Sequence, residues 1–463
     1  MLICDDKKFG QGQLWMPFMP EDFFRPDPEL QAIGAILDDP ETLQPFVDHH
    51  ARAVRETGLN LTGRNTVPLR AFAAMMVLKH MFDLDYRGLC KAVADRISWR
   101  VFCHIQFGKR VPDYSTICKL AGRFGHETVT RMNTAILAKL KAQGKLKGKK
   151  IKVDTTVVES NIAYPTDTGL LRKGINKIGR LAKKARKAGV SVKGFVDHAR
   201  KARKIALSVA KTLAKRSGDA VQEVRAAASE LATVAEDSVR RADQVLRRLK
   251  RSAAKSDDAK KQALAEELET ICGRVAKAID QTRRVAEGET HIEDRLVSIF
   301  DAEARPIRKG KAGKPVEFGY KAVLASNEQG FIFSCDVREG NPNDATLFVP
   351  EIARAKDNTG FNFKEAAGDR GMYSADNERD AKDMGIEHVA TPKRGKKSAE
   401  RVAHERQAWF RRLCRMRAGQ EAEISRLKRR FSFGRSRSRG RGGVRTWAGW
   451  SVAAYNLVVA AGL

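Results

Sequence analysis

The sequence predicts an α/β core that is interrupted by a long helical insertion and preceded by an all-α block. Three observations predict it. Strand-like runs rich in β-branched residues occur at 150–160 and return after Pro306 in alternation with helical segments. Between Pro165 and Pro306 there is no proline, and the composition shifts to Ala, Lys, Arg, Glu and Leu. Before residue 145, apolar residues recur at helical spacing.

Taken in order, residues 1–145 read as a helical, DNA-binding domain. Pro17, Pro20, Pro26, Pro28, Pro40 and Pro45 leave room only for short helices up to about residue 60. "PLRAFAAMMVLKHMF" then places Leu69, Phe72, Ala73, Met76 and Val77 on one helical face, and "YRGLCKAVAD", "SWRVFCHI" and "DYSTICKLAGRFG" continue as short helices. In a basic chain this pattern is either a helix-turn-helix-like reader, with Tyr114–Phe124 as its recognition-helix candidate, or an ordinary helical packing domain.

"KIKVDTTVVES" is the first strand, and the core domain is assigned to 146–167 and 296–430. The insertion, 168–295, carries Val224, Ala228, Leu231, Ala235, Val239, Ala242 and Leu246 at steps of three and four, then Leu264, Leu268, Ile271, Val275 and Ile279. That periodicity predicts a coiled-coil-like hairpin turning within "KRSAAKSDDAKK". Its basic start, "RKGINKIGRLAKKARKAGVSVKGFVDHARKARK", is either a grip on phosphates or a solvated helix face. Beyond Pro306, "KPVEFGYKAVLAS" and "GFIFSCDVREG" form a hairpin turned at "NEQG". "DATLFVPEIARAK" is a helix, "FKEAAGDRGM" a strand, "SADNERDAKDMG" a helix with a glycine stop, and "IEHVATPK" a strand. The remainder, 431–463, joins an Arg-rich stretch, either a flexible DNA contact or a disordered solubilising segment, to a packed C-terminal helix.

Lys and Arg number 87 against 56 Asp and Glu, a formal charge of +31 spread over most of the 463 residues. The partner this favours is a polyanion, with double-stranded DNA first. No apolar run of spanning length, signal peptide or lipidation motif is present, so no membrane partner is expected. Seven cysteines scattered singly, without a C-x-x-C pair, read as reduced thiols of a cytoplasmic protein.

The chemistry centres on carboxylates. Asp154 interrupts an otherwise apolar strand, where an unpartnered charge is costly. Asp369 ends the "FKEAAGD" strand just before Gly371, which would let the chain turn. If the two strands are neighbours, the carboxylates meet, and like charges held together require a cation between them. A hard divalent ion, Mg²⁺ or Mn²⁺, suits an oxygen-only ligand set, since the nine histidines and seven cysteines show no metal spacing. The third acid is expected from "LCRMRAGQEAEISRLKRRF". Cys414, Arg417, Glu421 and Lys428 share one face of that helix, whereas Glu423 is rotated by roughly 200° and points elsewhere. Asp167 is a weaker candidate, and Asp344 reads as a helix N-cap.

The ordered set "DTTVVESNIAYPTD", "RPIRKGK", "PVEFGYKAVL", "EGNPNDATLF", "GDRGMYS" and "RMRAGQEAEISRLKRRFSFGRSR" resembles the DDE transposases of bacterial insertion sequences, in the insertion-sequence-five-like and ISNCY-type groups. Their signature Tyr-x-x-Arg-x-x-x-Glu-x-x-x-x-x-x-Lys appears here with Cys414 at the tyrosine and with Arg417, Glu421 and Lys428 in place. The resemblance covers roughly residues 65–460 apart from the insertion. It implies a ribonuclease H-like catalytic core, catalytic metal ligands Asp154, Asp369 and Glu421 holding two ions, and DNA contacts from Arg417 and Lys428. It also implies action as a homo-oligomer on element ends and target DNA, associated with the bacterial nucleoid. Two other readings share these residues: a transposase-derived DNA-binding protein that no longer cuts, and a plain metal-dependent nuclease.

Overall fold

The computed structural model describes residues 2–3, 25–57, 67–215, 220–289, 291–311 and 314–462; Pro17 and Pro20 lie outside them. The chain forms two compact units, Met1–Asn161 with Tyr320–Leu463, and Ile162–Gly319. The helices before residue 146 thus share a unit with the sheet.

In the first unit, α1 (Pro28–Leu37), α2 (Pro40–Thr57), α3 (Leu69–Met81), α4 (Tyr86–Asp95), α5 (Ile97–Phe102) and α6 (Tyr114–Ala142) precede the central strand β1 (Lys150–Ser160). Two of these helices outrun the short ones expected. Pro45 is accommodated inside α2, where Leu43 and Phe46 are buried against neighbouring helices. Likewise α6 continues past Phe124 through a kink at Gly125, whose φ of 65° suits glycine. Before that kink α6 buries Ile117, Leu120 and Phe124 and leaves Cys118, Lys119 and Arg123 exposed.

The sheet is built on β1. On one side β1 pairs in parallel with β5 (Glu365–Gly368), which pairs in parallel with β6 (His388–Ala390). On the other it neighbours β3 (Lys314–Asn327), whose second half pairs antiparallel with β4 (Ile332–Val337). The β3–β4 turn falls at the expected "NEQG": Asn327 Oδ1 accepts from the amides of Gln329 and Phe331, and Gly330 takes φ 89°. Helices α11 (Phe348–Thr359), α12 (Ala375–Asp383), α13 (Ala399–Arg406) and α14 (Ala408–Arg430) follow their strands, and α15 (Gly440–Ala461) closes the chain.

The Arg-rich stretch is packed and paired within the fold rather than left as a solvated segment. Phe431 and Phe433 are buried, the Ser432 hydroxyl donates to the Asp83 carboxylate at 2.9 Å, and Arg435–Ser436 pairs with the end of β1 as a short strand, β7. Apolar residues placed among the arginines give this segment its own anchors. From Gly440 its remainder is helical, leading α15 into the N-terminal helices. There Trp450 packs on Phe46 and Phe72 with ring centroids 5.8 and 5.9 Å away. Asn456 joins α15 to β4, accepting from Ile332 N and donating to Ile332 O. No helix among the described residues is long and apolar enough to cross a membrane.

Behind β4 lies a buried charge cluster. Asp336 meets Arg445, Arg338 and Arg354 at 2.8, 3.2 and 3.2 Å, while Glu351, with no side-chain exposure, lies 3.4 Å from Arg354 and 3.8 Å from Arg338. Burial pushes the Glu351 carboxyl up to about 7, against the partial offset of those arginines. The folded state therefore holds a proton between about pH 4.5 and 7 that the unfolded chain releases, so this contribution to stability is full below 4.5 and lost as pH rises through 7. Glu351→Gln should remove a loss on the order of 3 kcal/mol. Denaturant titrations at pH 5 and pH 8 should converge for the variant and diverge for the wild type.

In the second unit, α7 (Asp167–Lys187), α8 (Ala199–Lys215), α9 (Ala220–Ser256) and α10 (Ala259–Ala286) bury a common apolar core that includes Ile178, Ile205, Leu231, Leu249 and Val275. The hairpin turns where expected: Asp257 takes φ 44° and Asp258 caps α10 by accepting from the amides of Lys260 and Lys261. One strand went unforeseen, β2 (Arg305–Lys311), which pairs antiparallel with the first half of β3. Asp167 is tied to Arg295 at 2.7 Å and Gln281 at 2.9 Å, a structural role at the start of α7.

Candidate active site

The register of β1 against β5 sets the site. Val153 pairs with Gly368, so the next residues, Asp154 within β1 and Asp369 just past the carboxyl end of β5, lie side by side. Each is pinned by a local bond: Asp154 Oδ1 accepts from Thr155 N at 2.7 Å, and Asp369 Oδ1 from Arg370 N at 2.6 Å. Gly368 makes room there, because a Cβ would lie 2.8 Å from the Phe348 ring.

Helix α14 brings the rest. Its Phe410 and Leu413 pack on Ala367 of β5 and Ala390 of β6. One turn before Glu421, Arg417 reaches all three acids: Nη1 lies 3.2 Å from Asp154 Oδ2 and 3.9 Å from Asp369 Oδ1, and Nη2 is 2.9 Å from Glu421 Oε1. Asp154 is 12% exposed, Asp369 39% and Glu421 67%, so the site opens from a buried floor to solvent. Lys428 sits half-buried on the same face, two turns further on. Cys414, one turn before Arg417, is half-buried against the Ala367–Leu413 cluster, and burial pushes its thiol up.

Glu423 takes the opposite role. Its Oε1 is 2.5 Å from the ammonium of Lys152, which is 4% exposed, and its Oε2 accepts from the Ser326 hydroxyl at 2.8 Å. It is a half-buried structural partner under the helix, as the rotation from Glu421 requires.

Three functional features were missed. Gln420, 1% exposed, donates to the carbonyls of Lys152 and Leu324, so α14 is hydrogen-bonded directly to β1 and β3. Its only sequence signal is its place between the two glutamates. Asp344 is not the helix cap; Asn343 accepts from Ala345 N instead. Asp344 Oδ1 accepts from the Thr155 hydroxyl at 3.1 Å and from Lys321 Nζ at 2.9 Å, beside Asp154 in sequence. Finally, Gly371 is not in the left-handed region that a glycine-specific turn would use. A Cβ there would stand 3.0 Å from the Asp344 carboxylate and 3.2 Å from Arg394, so the glycine supplies room.

Among the described residues no three His, Cys, Asp or Glu side chains stand close enough to hold a metal as they are. The physical reason at this site is Arg417, whose guanidinium is bonded to acids on both sides of it. Three carboxylates converging on one cation are a donor set suited to a hard divalent ion, and Arg417 is the positive charge that keeps them together.

Residues 18–123 match the family described as Transposase domain (DUF772), and residues 274–457 match the family described as Transposase DDE domain. The second match contains Asp369, Arg417, Glu421 and Lys428, and its boundary leaves Asp154 outside. A Rhizobium meliloti protein, "Uncharacterized protein ORF8 in nfe locus", is 28% identical over 127 residues. That alignment covers 26% of this chain and 61% of the relative. No solved structure matches.

Proposed function

The chain belongs to the DDE transposases of insertion sequences, and we propose that it binds the ends of its own element and cuts and joins DNA with Asp154, Asp369 and Glu421. The observation that carries the proposal is the single guanidinium of Arg417 bonded among those three carboxylates, on the β1, β5 and α14 positions. In the ribonuclease H-like core of this family the three acids would hold divalent metal, taken as two Mg²⁺ or Mn²⁺ ions. When bound, that metal supplies Lewis-acid charge that activates the attacking hydroxyl and neutralises the leaving oxygen of an in-line displacement at phosphorus.

The chain's own residues do the rest. Asp154 and Asp369 are held in place by adjacent amides, and Glu421 approaches from the solvent side on a helix docked through Gln420. Arg417 and Lys428 bind phosphate oxygens and set the register of the scissile diester, a contact independent of base sequence. The first reaction, attack by water, frees a 3′-hydroxyl at the element end; the second joins that hydroxyl to target DNA and releases a strand of it. Two ends processed together imply a homo-oligomer on DNA, acting at the bacterial nucleoid.

The test is cleavage of a labelled duplex carrying the element's end in the presence of Mg²⁺. Asp154→Asn should cut at least about a thousand-fold more slowly, since Lewis-acid stabilisation is worth several kcal/mol, while its DNA affinity is retained. A wild type that binds the end yet never nicks it would leave a DNA-binding protein without cleavage; nicking without joining would leave a nuclease.

A further inference from the structure

We infer that the outer face of α7 and α8 is a sequence-independent binding surface for the phosphate backbone of duplex DNA. The inference rests on the reading of this chain as a DNA-processing enzyme and adds a contact surface that the three acids do not require.

Charge is distributed unevenly within the helical unit. Residues 167–215 hold 15 Lys and Arg against two acids, whereas residues 220–286 hold 14 against 11. The acids of α9 and α10 are matched within the unit, Glu236 by Arg283 at 2.6 Å and Glu269 by Lys250 at 2.8 Å. On α7 and α8 the lysine pairs are Lys177 and Lys184 with Glu267, Lys183 with Asp197 and Lys201 with Glu230. Arg180, Lys187, Arg200, Arg203, Lys204 and Lys211 are exposed and have no acidic partner among the described residues.

Helical phase gathers these cations. Arg180, Lys183, Lys184 and Lys187 form one stripe on α7, and Arg200, Arg203, Lys204, Leu207 and Lys211 form another on α8. The opposite faces, with Leu181, Ala185, Ile205 and Val209, are buried. Nor is the linker between the helices loose. Arg248 donates to the carbonyl of Lys193 at 2.7 Å and Arg241 to that of Gly194 at 2.9 Å, and the helices pack directly against each other. Six of the eight cations in these two fixed stripes lack an acidic partner among the described residues and repel one another, and a polyanion relieves that repulsion with release of its counterions. Cations are the only charged groups on the two stripes, and a phosphate backbone, which presents one negative charge per nucleotide whatever the base, is their general complement.

The experiment uses the full chain and a random-sequence duplex of about 40 base pairs without an element end, followed by fluorescence anisotropy across a salt series. Arg180, Lys187, Arg203 and Lys204 are changed together to Gln, with Arg180→Lys plus Arg203→Lys as the charge-preserving control. For the Gln variant the slope of log affinity against log salt should shallow by about 0.9 for each phosphate contact removed, with at least a tenfold loss of affinity near 0.1 M salt. The Lys control and Asp154→Asn should keep the wild-type slope. An unchanged slope and affinity in a Gln variant that melts like the wild type overturns the surface, and if that variant still cuts element ends, the active-site reading survives it. Loss of binding to phosphatidylserine vesicles with DNA binding intact also overturns it, in favour of a membrane surface. A wild type that ignores duplex DNA altogether removes the premise as well.

Discussion

Glu421→Gln should slow cleavage of an element end by about a thousand-fold or more, through loss of a charge that the transition state needs, and should leave the fold intact. The carboxylate is 67% exposed and pairs with Arg417 at i,i+4. Such pairs contribute about 0.3–0.5 kcal/mol, so the melting temperature should hardly move. Arg417 keeps Asp154 and Asp369 as partners in the variant, so the floor of the site is preserved. DNA affinity should hold or rise slightly, because a negative charge leaves a phosphate-binding face. Glu421→Asp, which keeps the charge on a shorter arm, should fall between the two. The readouts are single-turnover nicking of a labelled end and a thermal melt on the same samples. Activity of Glu421→Gln within tenfold of wild type would reassign the third acid, and Asp344, bonded to Thr155, would be the next residue to change.

Much of this site was legible because it rests on periodicities. A strand alternates and a helix repeats at 3.6 residues, so Asp154 within a β-branched run, Asp369 before a loop, and the separation of Glu421 from Glu423 can be read from the sequence. What escaped depends on long-range contacts. Nothing in "GNPNDAT" distinguishes Asn343 as the cap from Asp344, because either side chain can accept a helix amide. The choice is made by Lys321 and Thr155, 23 and 189 residues away in sequence, which draw Asp344 toward the site. The Arg-rich segment read as solvated because charge dominates its composition, yet Phe431 and Phe433 are buried and Ser432 between them bonds Asp83 far upstream. Arg417 fits both a phosphate ligand and a carboxylate partner by spacing; the fold places its guanidinium among the acids.

Glu423, two residues from Glu421, should show the opposite signature. Glu423→Gln leaves the Lys152 ammonium, 4% exposed, without a counter-charge beneath α14. Removing one partner of a buried ion pair costs about 3–5 kcal/mol, mostly the desolvation of the charge left behind. The glutamine carbonyl can still accept a hydrogen bond from Lys152, so the lower end of that range is expected for this variant. Lys152→Met should cost a similar amount for the reciprocal reason. The double variant Lys152→Met/Glu423→Leu should recover most of the loss, since two apolar side chains leave no stranded charge. Denaturant unfolding of the wild type, Lys152→Met, Glu423→Leu and the double variant closes the cycle. A coupling below about 0.5 kcal/mol would mean that the pair is effectively solvated and that Gln420 and the Phe410–Leu413 contacts hold the helix unaided. Nicking, measured where each variant is still folded, should decline only as far as looser docking of α14 displaces Glu421. One helix would thus carry two carboxylates with separable work, one fixing the helix to the sheet and the other facing the DNA.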